Sequence, residues 1–165
     1  MIPRPQHLLG FTLIELILVI SIISALSVFA SDRFLYWQER AEKAAMESVL
    51  SGVKMGVQIR MAEMMATNRM DVRELETENP IRWLQDRPST YAGDYGPPLT
   101  GGSWYYSTGE HELVYVLNNR AYLETDGGKK ELRFRVSVRQ EVDARLAAKT
   151  VAGVTLAPVS RYKWF

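Results

Sequence analysis

The stretch HLLGFTLIELILVISIISALSVFASDRF, residues 7–34, decides the fold of this chain. Its twenty residues from Phe11 to Ala30 are nearly all apolar, and one carboxylate, Glu15, lies among them. A helix of twenty residues spans roughly 30 Å, which is the thickness of the hydrocarbon core of a bilayer. The stretch therefore predicts a helix that can cross a membrane.

The charges that flank this segment predict its orientation. Arg4 and the starting amine precede it, whereas Asp32 and Arg33 follow it and cancel. The positive-inside rule then places the N-terminus in the cytoplasm and the residues after Ser31 across the membrane. Two other interpretations stay open, namely a secretory signal cleaved before Ser31 and a plain signal anchor. The first requires an unusually long apolar region with an ionisable group inside it, and neither explains Glu15.

The carboxylate of Glu15 requires a partner. A carboxylate at the centre of a spanning helix costs about 2.5–3.5 kcal/mol, less near an end, and such residues usually serve a specific partner. The nearest cationic side chains on the chain, His7 and Arg4, precede the apolar segment. Cleavage between Gly10 and Phe11 would create a new amine on Phe11, and the amine of a neighbouring subunit could then neutralise Glu15. We therefore interpret Glu15 as a residue that sets the register between helices in an assembly.

The motif GFTLIEL, with a short polar leader that ends in glycine, resembles the prepilin N-terminus shared by type IV pilins and the pseudopilins of type II secretion. The resemblance covers about Leu9 to Leu26. It implies cleavage after Gly10 by the prepilin peptidase, a membrane aspartyl peptidase, and N-methylation of Phe11. Glu15 matches the family's glutamate, which is tied to methylation and subunit assembly.

The resemblance also implies a location and further partners. It describes a single-pass protein of the bacterial inner membrane, with a cytoplasmic N-terminus and a periplasmic head domain embedded by its helix in the lipid bilayer. An inner-membrane assembly platform then moves the subunit into a periplasmic or extracellular filament, where it polymerises with copies of itself or with other pilin-like subunits.

Two positions depart from the family pattern. Many members carry a helix-breaking glycine and a proline where this chain has Ser24 and Asp32. Without the proline, no kink is obligatory in the helix. Ser21, Ser24 and Ser27 fall along one helical face, where they can hydrogen-bond either to a neighbouring helix or to carbonyls of their own helix.

Residues 32–70 are predicted to continue the membrane helix as an amphipathic helix, because they contain no proline and their charges fall mostly on one side. A stripe of small residues with i+4 spacing runs along it: Ala44, Ser48, Gly52 and Gly56. We favour packing of this stripe on the subunit's own sheet over a helix-to-helix contact in a filament. The methionines are interpreted as core residues: Met55, Met61, Met64 and Met65.

Residues 71–102 are predicted to form a long variable loop, with a short turn of helix at Ile81 to Gln85. The loop holds four of the seven prolines and several glycines. Long loops in small domains are often functional or variable. We interpret this one as the surface segment that distinguishes one pilin-like subunit from another.

Residues 103–165 carry the strand signals. SWYYS and ELVYVLN predict a hairpin, AYLET and the turn DGGKK follow, and GVTLAPV and YKWF are predicted to close the sheet, with Pro158 suited to an edge. In ELRFRVSVR, residues 131–139, apolar side chains alternate with polar ones that are mostly arginine. The predicted class is α+β, with a long N-terminal helix packed on a small antiparallel β-sheet. The resemblance implies the same pilin-like architecture.

Few residues of the chain are suited to catalysis. Cysteine is absent, and the two histidines are His7 in the predicted leader and His111 in the predicted hairpin turn. Nucleophilic catalysis would depend on His111 alone. Glu110, His111 and Glu112 alternate across a turn and do not converge as metal ligands do, so we interpret them as a solvated turn. We predict no catalytic residue, no cofactor and no metal site, and therefore no enzyme.

The charge distribution leaves one alternative partner to consider. The 20 basic and 19 acidic side chains nearly cancel, yet residues 120–165 hold ten Lys and Arg against five Asp and Glu. Arg133, Arg135 and Arg139 share one strand face and could contact a DNA backbone. A solvated face, or ion pairs with the helix of a neighbour, is the interpretation that we favour, and nucleic acid is not an expected partner.

These observations lead to one predicted function and one alternative. The predicted function is a structural subunit of a type IV pilus-like filament or of a type II secretion pseudopilus. Because the chain lacks the C-terminal cysteine pair common in major pilins, a pseudopilin or minor pilin is favoured. The alternative is a DNA-binding minor pilin of a DNA-uptake pilus.

Overall fold

The computed structural model describes residues 11–125, 128–143 and 148–165. The predicted leader with Gly10, and the first two residues of the predicted turn DGGKK, lie outside the described residues. The chain divides into two compact units, Met1–Gln38 and Glu39–Phe165. The first unit contains the apolar segment, and the second contains all of the strands in the described part of the chain.

The first helix, α1 (Leu13–Ala66), is 54 residues long and begins two residues after Phe11. In the first unit its large apolar side chains are exposed, by 41–81% from Phe11 to Phe29. None of its most apolar stretch is buried, and the helix is long and apolar enough to cross a membrane.

The C-terminal end of α1 comes four residues before the predicted end at residue 70. Asn68 adopts a left-handed backbone conformation with φ +52°, which asparagine tolerates better than most residues. The amide of Arg69 donates to the carbonyl of Met64 at 3.0 Å, and the amide of Asn68 donates to that of Met65 at 3.1 Å. These two bonds form a Schellman cap, which ends the helix.

The segment predicted as a loop, residues 71–102, contains three short elements. Helix α2 (Val72–Thr77) is capped by Asp71, whose side chain accepts hydrogen bonds from two backbone amides. A 3₁₀ turn follows at Pro80–Trp83, one residue before the predicted start of a helical turn, and Asn79 caps it. The strand β1 (Tyr91–Asp94) comes next.

The remaining strands are β2 (Ser103–Ser107), β3 (Glu112–Val116), β4 (Leu123–Thr125), β5 (Glu131–Asp143), β6 (Ala148–Pro158) and β7 (Tyr162–Trp164). The main sheet has five strands in the order β1-β2-β3-β5-β6. The predicted hairpin β2–β3 is confirmed, and β3, β5 and β6 pair antiparallel as expected. Strand β1, however, pairs with β2 in parallel. The sheet is therefore mixed, and the prediction of a purely antiparallel sheet is wrong in this pair.

The strand at the C-terminal end of the chain also differs from the prediction. Strand β7 does not join the main sheet but pairs with β4 in a separate two-stranded antiparallel sheet. Pro158 ends β6, which is an edge strand, so its position agrees with the prediction that proline suits an edge. The overall arrangement is α+β, as predicted.

The core of the second unit lies between one face of α1 and the sheets. The helix contributes residues at helical spacing: Met46, Leu50, Val53 and Val57. The strands contribute, among others, Trp104, Leu113, Tyr115, Leu132, Phe134, Val136, Leu156 and Trp164. The alternation predicted for β5 is confirmed, since Leu132, Phe134 and Val136 are buried.

Two predictions about α1 need correction. Only the second half of the small-residue stripe packs inside the unit, and it faces the 3₁₀ turn, since a Cβ at Gly56 would lie 3.1 Å from the carbonyl oxygen of Trp83. Ala44 and Ser48 are exposed. Met64 is buried, but Met55 is 59% exposed. The prediction of a core role is therefore wrong for Met55, because it lies on the helix face opposite the sheets.

Met65 requires the same correction, since it too is an exposed side chain. Met64 and Met65 are adjacent, and successive residues of a helix differ in direction by about 100°. One of the two can therefore face the core while the other faces outward.

Candidate assembly segment

The N-terminal end of α1 contains the predicted assembly residues. Phe11 and Thr12 precede the helix, and Glu15 lies in its first turn. The Oγ1 atom of Thr12 accepts a hydrogen bond from the Glu15 amide at 3.3 Å, and the Thr12 carbonyl accepts one from the Leu16 amide at 3.2 Å. Thr12 therefore caps the helix, and the first helical turn begins two residues after Phe11.

This geometry shows a local reason for a carboxylate at Glu15. Amides at a helix N-terminus carry partial positive charge, which stabilises a negative side chain in the first turn. Thr12 and Glu15 have the spacing of a capping box, in which a threonine at the cap is followed three residues later by glutamate. This signal is present in the sequence itself, three residues apart at Thr12 and Glu15.

The helix terminus does not supply a full counter-charge to Glu15. The side chain of Glu15 is exposed, and within the described part of the chain it forms no ion pair. The carboxylate is therefore accessible to an intermolecular contact, and the partner proposed from the sequence is the Phe11 amine of a neighbouring subunit.

Two serines of the apolar segment, Ser21 and Ser27, bond to their own helix. The hydroxyl of Ser21 donates to the carbonyl of Ile17 at 2.8 Å, and that of Ser27 donates to the carbonyl of Ile23 at 2.8 Å. This is the second of the two arrangements left open by the sequence. Each hydroxyl oxygen retains lone pairs that can accept a hydrogen bond from a neighbouring helix.

The predicted basic face of β5 is largely neutralised by carboxylates. Arg133 is the centre of this cluster: its Nε donates to Glu131 at 3.0 Å and its Nη1 to Glu112 at 3.1 Å, and Glu110 forms a further ion pair with it. Arg135 donates to the other oxygen of Glu112 at 2.5 Å. Burial by itself would lower the pKa of Arg133, but hydrogen bonds with Glu112 and Glu131 raise it above its usual value.

A tyrosine ring covers the same guanidinium. The Cζ atom of Arg133 lies 5.0 Å from the centroid of the Tyr95 ring, and the Tyr95 hydroxyl donates to Glu131 at 2.8 Å. That hydrogen bond raises the pKa of Tyr95. Arg133 is thus held by three carboxylates and an aromatic ring of its own chain. Arg139, in contrast, remains exposed, and its Nε lies 3.8 Å from Oε1 of Glu141.

The turn that contains His111 is only partly solvated. His111 and Glu110 are exposed, but Glu112 is buried because it begins β3 and pairs with the two arginines of β5. The prediction of a fully solvated turn is therefore wrong for Glu112. Among the described residues, no group of three or more His, Cys, Asp or Glu side chains is arranged to hold a metal ion.

A polar cluster on α1 has no counterpart among the residues predicted from the sequence. Glu39 is 1% exposed and accepts three N–H donors, from Ala121 at 2.6 Å, from Tyr122 at 3.1 Å and from the Trp164 indole at 3.2 Å. Lys43, one turn later, donates to the Trp164 carbonyl at 2.8 Å. These two side chains join the helix to the segment before β4 and to β7.

Glu42 completes the cluster. Its Oε1 accepts from the Asn118 amide at 2.8 Å and from the Tyr115 hydroxyl at 3.1 Å. Burial, and then the charge of Glu42, raise the pKa of Tyr115. No sequence signal distinguishes Glu39 and Glu42 from the exposed Glu47 on the same helix, because the distinction depends on which backbone amides fold against them.

Comparison of the chain with models of known protein families, with curated proteins and with solved structures finds no match.

Proposed function

We propose that the chain is a structural subunit of a pilin-like filament, either a pseudopilin of type II secretion or a minor pilin. It is made as a prepilin, cleaved after Gly10 by the prepilin peptidase, methylated on Phe11 and assembled through its N-terminal helix. The observation that carries the proposal is the GFTLIEL junction at the start of α1, with Glu15 in the first turn of an exposed apolar helix.

The exposed apolar surface of the first unit supports both stages of this function. Such a helix is stable in a bilayer, where its backbone groups are satisfied internally and its side chains face lipid. Packing against copies of itself buries the same side chains again, now with Glu15 next to the amine of a neighbouring Phe11. In this proposal the subunit moves from the inner membrane, through the assembly platform, into a periplasmic or extracellular filament.

The outward face of α1 in the second unit supplies a second helix contact. An uncharged stripe of exposed residues follows the helical repeat: Ala44, Ser48, Ser51, Met55, Ile59, Ala62 and Ala66. Met55 and Ile59 are 59% and 51% exposed at its centre. The small residues around them allow another helix to approach closely, so this stripe is suited to a helix-to-helix contact. It shares only Ala44 and Ser48 with the stripe considered from the sequence.

Replacing both Met55 and Ile59 with glutamate is expected to reduce incorporation into filaments by at least about tenfold, because a difference of only about 1.4 kcal/mol per contact has that effect. Two carboxylates buried without partners would cost more than this. The measurement is the fraction of the subunit recovered with sheared filaments, or crosslinked to its neighbours, in the native host. Gln85→Glu with Thr108→Glu is the matched control, since it adds the same charge at exposed positions outside α1. Equal incorporation of the two variants would show that the stripe is not a contact.

The processing step has a direct test in the intact mass and N-terminal sequence of the protein purified from its host membrane. We expect the chain to begin at N-methylated Phe11. A start at Ser31 would identify an ordinary exported protein, and an unprocessed Met1 would identify a membrane anchor without prepilin processing. Either result would overturn the proposed function.

The described contacts of β5 count against the DNA-binding alternative. Arg133 and Arg135, which would have to contact phosphates, are engaged with carboxylates of the same chain. Releasing them would leave Glu112 buried without its cations, which is costly.

A further inference from the structure

Strand β1 forms one edge of the main sheet, and within the described residues it pairs only with β2. Tyr91 lies opposite Trp104, whose amide donates to the carbonyl of the residue before Tyr91 at 2.8 Å. Asp94 lies opposite Tyr106, whose carbonyl accepts from the Tyr95 amide at 2.8 Å. In a parallel ladder, the residue opposite such a bonding residue turns its own main-chain groups to the other side. The carbonyl of Tyr91 and both main-chain groups of Asp94 therefore point away from β2, and this edge can accept a further strand.

A groove of about 410 Å³ lies along this edge, between β1 and the segment that contains the 3₁₀ turn. Ile81 and Leu84 give the groove an apolar lining on the side of the turn. On the strand side lies Gly93, which has φ +114°, a conformation that residues with a side chain rarely adopt. A Cβ at Gly93 would lie more than 4 Å from every atom beyond its chain neighbours. The strand thus lacks a side chain where the space is open, so a second backbone can approach it closely.

Two arginines line the groove, and neither forms an ion pair in the part of the chain that the structure describes. Arg87 is stacked on Tyr91, with its Cζ 4.4 Å from the ring centroid. The Tyr91 hydroxyl accepts a hydrogen bond from the Asn79 side chain at 2.7 Å, which holds the ring in place. A stacked guanidinium keeps its N–H groups in its own plane, where they can bind a carboxylate. The second arginine, Arg82, is exposed.

The acidic side chains of this region do not neutralise the two arginines. Asp94 lines the groove at the end of β1, so the lining contains two cations and one carboxylate. Asp86 is exposed and does not line the groove. Glu78 precedes the 3₁₀ turn and accepts a hydrogen bond from an indole N–H at 3.3 Å. The groove therefore offers two unpaired guanidinium groups, in contrast to the arginines of β5 that carboxylates hold.

We infer that this groove binds an extended acidic segment of another protein, which adds as a strand to the free edge of β1. The main chain of the segment pairs with Tyr91 and Asp94, and its carboxylates pair with Arg82 and Arg87. Two such carboxylates fit one strand because every second side chain faces the same way. The edge offers an amide donor as well as carbonyl acceptors, which match a polypeptide better than a phosphate backbone, since phosphates only accept. This inference goes beyond the proposed function and does not depend on filament assembly.

The binding test uses the full-length chain in detergent and a short fluorescein-labelled peptide that alternates valine with glutamate. Fluorescence anisotropy measures the Kd. We expect saturable binding that weakens as salt is added. The matched peptide with glutamine in place of glutamate should bind on the order of 100-fold more weakly, because two charge-assisted contacts are lost. Equal binding of the two peptides would overturn the inference.

Backbone pairing has a separate test, in acidic peptides whose amides are N-methylated at every second residue. In an added strand, alternate residues direct their amides toward β1 and the others direct them outward. We expect one methylated set to bind at least about tenfold more weakly, because several main-chain hydrogen bonds are lost together, and the other set to bind like the parent peptide. The same affinity for both sets would exclude strand addition.

Charge variants test whether the two arginines are responsible. Arg82→Gln with Arg87→Gln is expected to weaken binding of the acidic peptide on the order of 100-fold. The control, Arg69→Gln with Arg73→Gln, removes the same charge at exposed positions that do not line the groove. An equal loss in both variants would contradict binding in the groove. Arg82→Glu with Arg87→Glu should reverse the preference and bind a peptide that alternates valine with lysine, and a retained preference for the acidic peptide would refute the contact.

Two competitors identify other kinds of ligand. Inorganic phosphate tests for a small-anion site, and oligothymidylate tests for nucleic acid. Displacement of the peptide by phosphate beyond that caused by chloride at the same ionic strength would overturn the inference, as would tighter binding of the oligonucleotide than of the peptide. These measurements involve neither prepilin processing nor filament incorporation. Failure of peptide binding therefore leaves the proposed function in place, and failure of processing leaves the groove.

Discussion

Replacing Glu39 with alanine is expected to lower the free energy of unfolding of the second unit by about 3–5 kcal/mol, one of the two largest effects that we predict. Three N–H donors lose their acceptor, and each buried donor left without a partner costs about 1–3 kcal/mol. The donors come from Ala121, Tyr122 and Trp164, which hold the small sheet against α1. Loss of the Glu39 carboxylate therefore weakens two attachments to α1, that of the segment before β4 and that of β7.

The measurement is denaturant unfolding of the full-length protein in detergent, followed by the fluorescence of the buried tryptophans. Glu47→Ala is the matched control, since it makes the same change at an exposed position of the same helix. We expect the control to change the free energy of unfolding by no more than about 0.5 kcal/mol. A Glu39→Ala variant as stable as Glu47→Ala would mean that water replaces the carboxylate without loss.

Replacing Glu15 with valine is expected to leave membrane insertion intact and to reduce filament incorporation by at least about tenfold, which corresponds to about 1.4 kcal/mol per contact. Insertion should become easier, because removing a carboxylate from the apolar segment removes up to about 2.5–3.5 kcal/mol of transfer cost. Assembly should fail, because the amine of a neighbouring Phe11 then enters an apolar environment without a counter-ion.

The structure suggests a control that separates two roles of Glu15. Thr12→Val removes the helix cap but retains the carboxylate, so it should weaken the first turn by about 1 kcal/mol and leave the charge contact in place. Membrane fractionation measures insertion, and the sheared-filament fraction measures assembly. If Thr12→Val reduced assembly as strongly as Glu15→Val, the carboxylate would act only through the helix terminus. Normal incorporation of Glu15→Val would refute the proposed contact.

The strands that the sequence predicts are those with a strong local pattern. In β5, apolar and polar residues alternate over Leu132 to Val138, and the buried face follows that alternation. Strand β1 has only four residues, including Gly93, and it alternates between intermediate and exposed positions without a buried residue. It forms a strand because the edge of β2 accepts it, and that edge exists only in the folded unit.

The charged residues also divide into those that the sequence identifies and those that only tertiary contacts identify. Glu15 stands out in the sequence because a carboxylate inside an apolar stretch is energetically conspicuous without knowledge of any neighbour. Arg133 and Glu39 do not stand out, because charged residues are usually solvated and their chain neighbours do not show otherwise. Glu112 is separated from Arg133 by twenty-one residues and Glu39 from Trp164 by 125.

The sequence by itself determined the helix that is long and apolar enough to cross a membrane, the α+β class and the central strands, because these depend on composition and on periodicities of 3.6 and 2 residues. Only the tertiary structure decided the parallel edge strand, the separate β4–β7 sheet and the carboxylates that neutralise Arg133. It also decided the burial of Glu39. Each of these depends on contacts between residues far apart in the chain, and such contacts leave no periodic trace in the sequence.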